Sequence, residues 1–108
     1  MEINEYQRLA SRTIDPTKTK DEVILNAVMG LCGESGEVID LWKKHIFHHH
    51  PFDQEAMIKE AGDVAWYLAE LATALDINLE EIMVKNIEKL KQRYPDGFDY
   101  ERSLHRKD

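Results

Sequence analysis

The sequence has little cysteine, no excess of positive charge and no long apolar run, and each shortage excludes a class of protein. Its one cysteine, Cys32, has no partner for an internal disulfide, which fits a reducing compartment. The formal net charge of -7 argues against nucleic acid or an anionic membrane as the main partner. No apolar run reaches the roughly 20 residues that span a bilayer. The N-terminus lacks a basic region followed by an apolar run, so we expect no secretion signal and a cytoplasmic protein.

Alternation of apolar and polar residues with period two is also scarce, which leaves helices as the predicted structure. Hydrophobic residues make up 43% of the 108 residues and charged residues 32%, a balance typical of a soluble globular domain. We therefore predict a single all-α domain over residues 1–108, a four-helix bundle-like subunit with one short helix and three longer ones.

Capping residues and prolines set the predicted bounds of these helices. The first helix ends before Asp15-Pro16, because the residue before a proline avoids helical geometry. The last helix ends at Tyr94-Pro95. The four helices are predicted at about residues 4–13, 20–46, 53–75 and 78–94, and they begin at Asn4 with Gln7, Thr19 with Glu22, Asp53, and Asn78 with Glu81.

Two pairs of carboxylates with equal spacing, Glu34-x-x-Glu37 and Glu60-x-x-Asp63, lie within the two longest predicted helices. Residues three apart are neighbours on a helix, so each pair projects from one face. Glu34 falls on the apolar side of its helix, where an ionised carboxylate is costly unless something compensates its charge. An isolated pair of this kind is usually a solvated face. Two facing pairs would form a nest of four carboxylates that a hard cation such as Mg²⁺ stabilises, a site for phosphate chemistry.

Three glycines, Gly30, Gly33 and Gly36, flank the first pair at intervals of three. Each costs about 1 kcal/mol relative to alanine inside a helix. One interpretation is a loose or kinked helix. We favour the other, in which a partner helix or a bulky ligand must approach this backbone closely.

The motifs resemble the ExxE…ExxD signature of the MazG-like all-α nucleoside triphosphate pyrophosphohydrolases. Glu34-Ser-Gly-Glu37 and Glu60-Ala-Gly-Asp63 are separated by 22 residues, a spacing that suits this signature. Three further segments resemble the family's last helix, its closing loop and its short first helix, so the resemblance covers nearly the whole chain. These segments are Asn86-Ile-Glu-Lys89-Leu, Arg93-Tyr94-Pro95-Asp96-Gly97-Phe98 and Asn4-Glu-Tyr-Gln7.

The resemblance implies that water attacks the α-phosphate of a ribo- or deoxyribonucleoside triphosphate and releases a monophosphate and pyrophosphate. Either Glu34 or Glu37 would accept the proton from that water. Removal of damaged nucleotides and control of deoxynucleotide pools are both open as biological roles. The resemblance implies Mg²⁺, with Mn²⁺ as an alternative, on Glu34, Glu37, Glu60 and Asp63. The implied substrate-binding residues are Asn86, Lys89, Tyr67, Arg93 and Gln7.

Apolar residues on more than one face of the predicted helices point to a homo-oligomer, and the resemblance implies a dimer or a tetramer with sites completed across subunits. Trp42 lies at the centre of an apolar arc and is predicted in the core or in an interface. Trp66 lies on the opposite side of its helix from the apolar arc, and an exposed tryptophan there would indicate a subunit contact.

The polar residues allow three other interpretations, of which two are disfavoured and one stays open. A zinc site on the histidines is disfavoured, because three consecutive residues on a turn rarely converge on one ion and no cysteine pair completes the set. A di-iron bundle needs Glu-x-x-His pairs, whereas both pairs here are carboxylates only. A non-catalytic helical module that dimerises or binds a partner, with vestigial carboxylates, stays open. The four histidines concerned are His45, His48, His49 and His50.

Overall fold

The computed structural model describes residues 1–106, which form helices and no extended strand. A single isolated bridge joins Pro95 and Gly97 in this part of the chain. The all-α prediction and the four main helices are confirmed, whereas the short fifth helix was not predicted. No helix of residues 1–106 is long and apolar enough to cross a membrane. The helices are α1 (Ile3–Ser11), α2 (Lys20–His48), α3 (Gln54–Ala74), α4 (Leu79–Arg93) and α5 (Tyr100–Leu104).

Local caps explain where the two longest helices begin, as the sequence predicted. At the start of α2 the backbone N of Glu22 donates to Thr19 Oγ1 at 3.2 Å, and the backbone N of Thr19 donates to Glu22 Oε1 at 2.9 Å. This reciprocal pair is a complete capping box. Asp53 accepts a hydrogen bond from the backbone N of Ala56 at 3.1 Å and begins α3.

The two other predicted capping pairs are wrong, and Gln7 shows why. The N-cap of α1 lies two residues before Asn4, and Asn78 at the N-cap of α4 makes no side-chain capping bond. Instead, Gln7 Oε1 accepts from the backbone N of Leu79 at 2.7 Å, and Gln7 Nε2 donates to the carbonyl of Ile77 at 2.9 Å. A side chain of α1 therefore satisfies a donor that the first turn of α4 leaves unpaired.

The helices α2 and α3 form an antiparallel pair, since only five residues connect them. The helix α1 and the start of α4 pack across α3. The core is small and consists mainly of alanines. The fully buried residues are Ala27, Ala69, Ala72, Leu79 and the charged Glu70.

The surface of the chain is large for its mass. The subunit exposes 8321 Å², about 2,100 Å² more than the roughly 6,200 Å² of a compact monomer of 12.6 kDa. Its radius of gyration is 17.0 Å, against about 13 Å for a compact domain of this length. The chain is therefore more open than a compact domain of the same length.

Several large apolar side chains are exposed along one side of α2, which we call the α2 apolar face. The sequence predicts Trp42 in the core or in an interface, and its side chain is 49% exposed. Trp42 therefore lies outside the core of the subunit, and its place in an interface stays a prediction. The α2 apolar face consists of Leu25, Val28, Met29, Ile39, Trp42 and Ile46.

At Gly30 a side chain of α3 packs directly against the backbone of α2, because a Cβ atom there would overlap the aromatic ring of Tyr67. Among the described residues, a Cβ atom at Gly33, Gly36 or Gly62 would meet nothing within 4 Å. The close-approach interpretation is confirmed for Gly30, and no neighbour within the subunit accounts for Gly33 and Gly36.

We expect Gly30→Ala to lower the free energy of unfolding by about 1–3 kcal/mol, because the added methyl group forces the Tyr67 ring to move. This loss is a net value, because the overlap with Tyr67 costs more than the roughly 1 kcal/mol that alanine gains over glycine as a helix former. The matched control is Gly62→Ala in α3, where open space leaves only the gain. Denaturant unfolding of both variants is the measurement, and a Gly30→Ala protein as stable as Gly62→Ala would contradict the packing role.

Candidate metal centre

Three of the four predicted carboxylates meet between α2 and α3. Glu34, Glu60 and Asp63 each place a carboxylate oxygen within 4.8 Å of the others. Glu34 and Glu60 are half-buried, whereas Asp63 is exposed. Within residues 1–106 this is the one group of three or more acidic, histidine or cysteine side chains with the spacing of metal ligands. We call it the carboxylate cluster.

The carboxylates of the cluster repel one another. A hydrogen bond with Glu60 is the main cause that raises the pKa of Glu34, followed by partial desolvation and by the charges of Asp63, Glu60 and Glu37. Crowded carboxylates favour the protonated form in this way because they cannot all ionise without repulsion. A bound cation would remove that repulsion.

Glu37 lies beside the carboxylate cluster rather than within it. Its side chain is exposed and is not one of the three groups that converge. Its charge nevertheless contributes to the raised pKa of Glu34, so the two carboxylates are close. Its predicted roles as metal ligand and proton acceptor stay predictions.

The cluster suits a hard divalent cation in both chemistry and exposure. Mg²⁺ prefers carboxylate oxygens, is held through only a few of them, and keeps several positions for water and phosphate oxygens. Three carboxylates on two helices, one of them exposed, provide such a partial coordination shell. The donor set of this chain therefore fits Mg²⁺.

The helix packing next to the cluster explains how these side chains are positioned. Glu34 follows Gly30 by four residues and Asp63 precedes Tyr67 by four residues, so the contact between Gly30 and Tyr67 lies one turn from the carboxylates. The Tyr67 ring also packs edge-on against Trp66, with centroids 5.0 Å apart. Tyr67 thus helps to space the helices, and its predicted substrate contact stays a prediction.

A tyrosine of α1 also lies near the cluster, and the sequence reading missed it. Partial burial, followed by the negative charge of Asp63, raises the pKa of Tyr6. Tyr6 belongs to the segment Asn4-Glu-Tyr-Gln7, but nothing local marks its place near the cluster, because only the packing of α1 on α3 brings it to Asp63.

The other predicted substrate-binding residues lie elsewhere in the subunit. Asn86 and Lys89 are in a stretch of α4, residues 83–92, that is exposed throughout. Arg93 is half-buried at the end of α4 and lines a cleft with Arg102 of α5. Gln7 holds the start of α4, as described above. Their contacts with substrate stay predictions.

The exposed tryptophan expected on α3 is not found. Trp66 is half-buried, and its Nε1 donates a hydrogen bond to Thr13 Oγ1 at 2.8 Å. The connection between α1 and α2 therefore covers this side chain within the subunit. The three consecutive histidines are exposed, in agreement with a solvated turn, and they are not among the groups in residues 1–106 that are spaced to hold a metal.

The sequence reading also missed a polar pair two turns from the cluster. Asn26 Nδ2 donates to both carboxylate oxygens of Glu70, at 2.9 and 3.0 Å. Glu70 follows Asp63 by seven residues and so lies on the same side of α3. The sequence does contain a signal for this pair, because Glu70 is the one charged residue in the otherwise apolar stretch 67–72.

The model of the MazG nucleotide pyrophosphohydrolase domain matches residues 24–98, a range that contains all four predicted carboxylates. The chain is also similar to the Gene 37 protein of Mycobacterium phage L5, with 32% identity over 105 residues, 90% of this chain and 92% of the phage protein. No solved structure matches. The chain therefore belongs to the MazG nucleotide pyrophosphohydrolase family.

Proposed function

We propose that this protein hydrolyses nucleoside triphosphates, ribo or deoxyribo, to the monophosphate and pyrophosphate in a Mg²⁺-dependent reaction, with water attacking the α-phosphate. The observation that carries the proposal is the convergence of Glu34, Glu60 and Asp63 in a chain of this family. Mn²⁺ is an alternative ion. The corresponding biological role is the removal of damaged nucleotides or the control of nucleotide pools in the cytoplasm.

Each carboxylate has a distinct proposed task. Glu34, Glu60 and Asp63 hold the divalent ion, and Glu37 at the exposed edge completes its coordination or accepts the proton from the attacking water. When bound, the ion supplies positive charge to the phosphate oxygens and activates water. Glu37 is favoured over Glu34 as the proton acceptor, because it lies outside the three groups that converge.

The helix α4 supplies the proposed phosphate contacts. Lys89 acts as a point charge and Asn86 as a hydrogen-bond donor to the triphosphate, and Arg93 binds the leaving pyrophosphate. Asn86 and Lys89 lie on the exposed part of α4. We infer that an adjoining subunit helps to enclose the substrate between α4 and the carboxylate cluster. Gln7 contributes by holding the start of α4 in place.

We expect Glu37→Gln and Asp63→Asn each to lower kcat at least about a hundredfold while the fold stays intact, because each removes a negative charge that the ion or the attacking water needs. The assay incubates the protein and Mg²⁺ with a panel of nucleotides and measures pyrophosphate and monophosphate. Glu88→Gln, an exposed carboxylate of α4, is the control and should keep full activity. Full activity of either variant would overturn the site. Release of orthophosphate, or of no product from any nucleotide, would favour the non-catalytic module.

We also expect Mg²⁺ to raise the melting temperature, because an ion that binds only the folded state stabilises it, by about 2.7 kcal/mol at a hundred times its Kd. Asp63→Asn should lose most of this increase. In the absence of Mg²⁺, Glu34→Gln should melt higher than the unmodified protein, since the substitution relieves repulsion within the cluster. Equal melting temperatures with Mg²⁺ and with EDTA would argue against the metal centre.

We further propose that the subunits form a homodimer or homotetramer through the α2 apolar face. The excess surface of about 2,100 Å² matches the area that a subunit loses in a large permanent interface. The residues of this face are aliphatic and aromatic, with Ile39 exposed to 66%. An apolar row of this length seldom stays in contact with water.

Ile39→Glu should shift the protein towards the monomer in sedimentation velocity, because a charge in an apolar interface is left without a partner. The matched control is Leu104→Glu, which places the same charge on an exposed residue of α5, away from this face. Sedimentation of the unmodified protein as a monomer, or an unchanged oligomer in Ile39→Glu, would contradict the proposed interface.

A further inference from the structure

A cleft of about 360 Å³ lies where the α1–α2 connection meets α2 and α3, and the proposed phosphate chemistry does not use it. Glu70 lines this cleft although only 3% of its surface is exposed. We call it the Glu70 cleft. Other residues that line it are Thr13, Val23, Asn26, Met29 and Trp66.

The buried carboxylate of Glu70 is an unusual choice for a contact between two helices. Removal of a carboxylate from water is costly, and an apolar side chain would join α2 to α3 without that cost. A carboxylate only accepts hydrogen bonds and has about four acceptor positions, of which Asn26 Nδ2 uses one on each oxygen. Glu70 can therefore accept further N–H groups from a molecule in the cleft.

The charge of the cleft excludes a phosphate group as its occupant. Besides Glu70, two carboxylates and only one ammonium group line it, from Asp15, Glu22 and Lys18. This excess of negative charge disfavours an anion and favours a neutral group that is rich in N–H donors.

An aromatic wall completes the cleft. A hydrogen bond of 2.8 Å from Trp66 Nε1 to Thr13 Oγ1 fixes the orientation of the indole ring. Bases stack on aromatic side chains with about 1–3 kcal/mol per base. The cleft thus combines a stacking surface with buried acceptors, the two features that nucleobase recognition requires.

The position of the cleft relative to the carboxylate cluster suits one nucleotide. Glu70 lies two turns after Asp63 on the same side of α3, roughly 10 Å along the helix. A nucleoside monophosphate has a comparable length. We propose that the Glu70 cleft binds the nucleobase of the substrate and selects bases with an exocyclic amino group, namely cytosine, adenine and guanine, over uracil and thymine. This inference rests on the proposed nucleotide substrate.

The discrimination follows from the acceptors. An exocyclic amino group presents N–H donors to Glu70. Uracil and thymine present one ring N–H between two carbonyl oxygens, which the carboxylate repels. With a carbonyl in place of the amino group, an oxygen of the base would face the carboxylate oxygens of Glu70. A buried site rejects a ligand that leaves its polar groups unpaired in this way.

The base preference is tested by comparing dCMP with dUMP, which differ in the group at C4. Isothermal titration calorimetry on the intact protein should give an affinity for dCMP at least about tenfold higher, the effect of one hydrogen bond to a charged group. Equal affinities, or tighter binding of dUMP, would overturn the inference. Monophosphates need no hydrolysis, so this result is independent of pyrophosphate release.

The role of Glu70 is tested with Glu70→Gln, in which the amide oxygen can still accept the hydrogen bond from Asn26. The preference for dCMP over dUMP should fall to within about threefold, because the variant keeps one acceptor where the carboxylate had two. The control is Glu88→Gln, which removes the same charge from the exposed face of α4 and should keep the preference. If Glu70→Gln kept the full preference for dCMP over dUMP, residues other than Glu70 would select the base.

The position of the bound base is tested by tryptophan fluorescence in variants that keep Glu70. Trp42→Phe leaves Trp66 as the one tryptophan, and dCMP should quench its fluorescence. Trp66→Phe leaves Trp42, which does not line the cleft, and its fluorescence should stay constant. Quenching of Trp42 alone would overturn the assigned position.

The two proposals fail in different ways. Pyrophosphate release at equal rates from all nucleotides, without quenching of Trp66, would overturn the base site and leave the proposed reaction. Quenching of Trp66 by dCMP, without pyrophosphate release from any nucleotide, would overturn the reaction and leave the base site.

Discussion

The close approach of α2 and α3 at Gly30 and Tyr67 is the contact on which both polar sites depend. Glu34 lies four residues after Gly30, and Asp63 lies four residues before Tyr67, so the helices present their carboxylates to each other on one side of this contact. On the other side the same packing brings Asn26 within hydrogen-bond distance of Glu70. Any side chain larger than hydrogen at Gly30 would overlap the Tyr67 ring, which lies between the two polar sites.

The fold makes this spacing without a large core of its own. The buried apolar residues are mostly alanines, which allow helices to approach but contribute little hydrophobic free energy. The carboxylate cluster adds repulsion, and the buried Glu70 adds desolvation. A subunit with a small core, two unfavourable charged sites and an exposed apolar face needs further stabilisation. The proposed divalent ion, base and second subunit would each supply the contact that one of these features lacks.

The sequence predicts the parts of this structure that depend on local spacing. The capping box of Thr19 and Glu22 and the two carboxylate pairs are readable because all their partners lie within a few residues. The cap of α4 cannot be predicted from local sequence, because the acceptor for the backbone N–H of Leu79 comes from Gln7, 72 residues earlier. Likewise, a helical wheel identifies the apolar side of α2 but does not show whether α3, a loop or another subunit covers it. Residues that act through distant partners are therefore the ones that sequence reasoning missed.

The two polar sites carry the same sign of charge but suit different parts of a nucleotide. A triphosphate approaches a chain of net charge -7 favourably only where a cation neutralises the carboxylates, so phosphate recognition depends on the ion. A base is neutral, and buried acceptors attract its N–H groups without any ion. Negative charge at both sites would thus orient the proposed nucleotide. In this proposal the phosphates lie at the carboxylate cluster with its bound ion, and the negative charge around Glu70 disfavours them there.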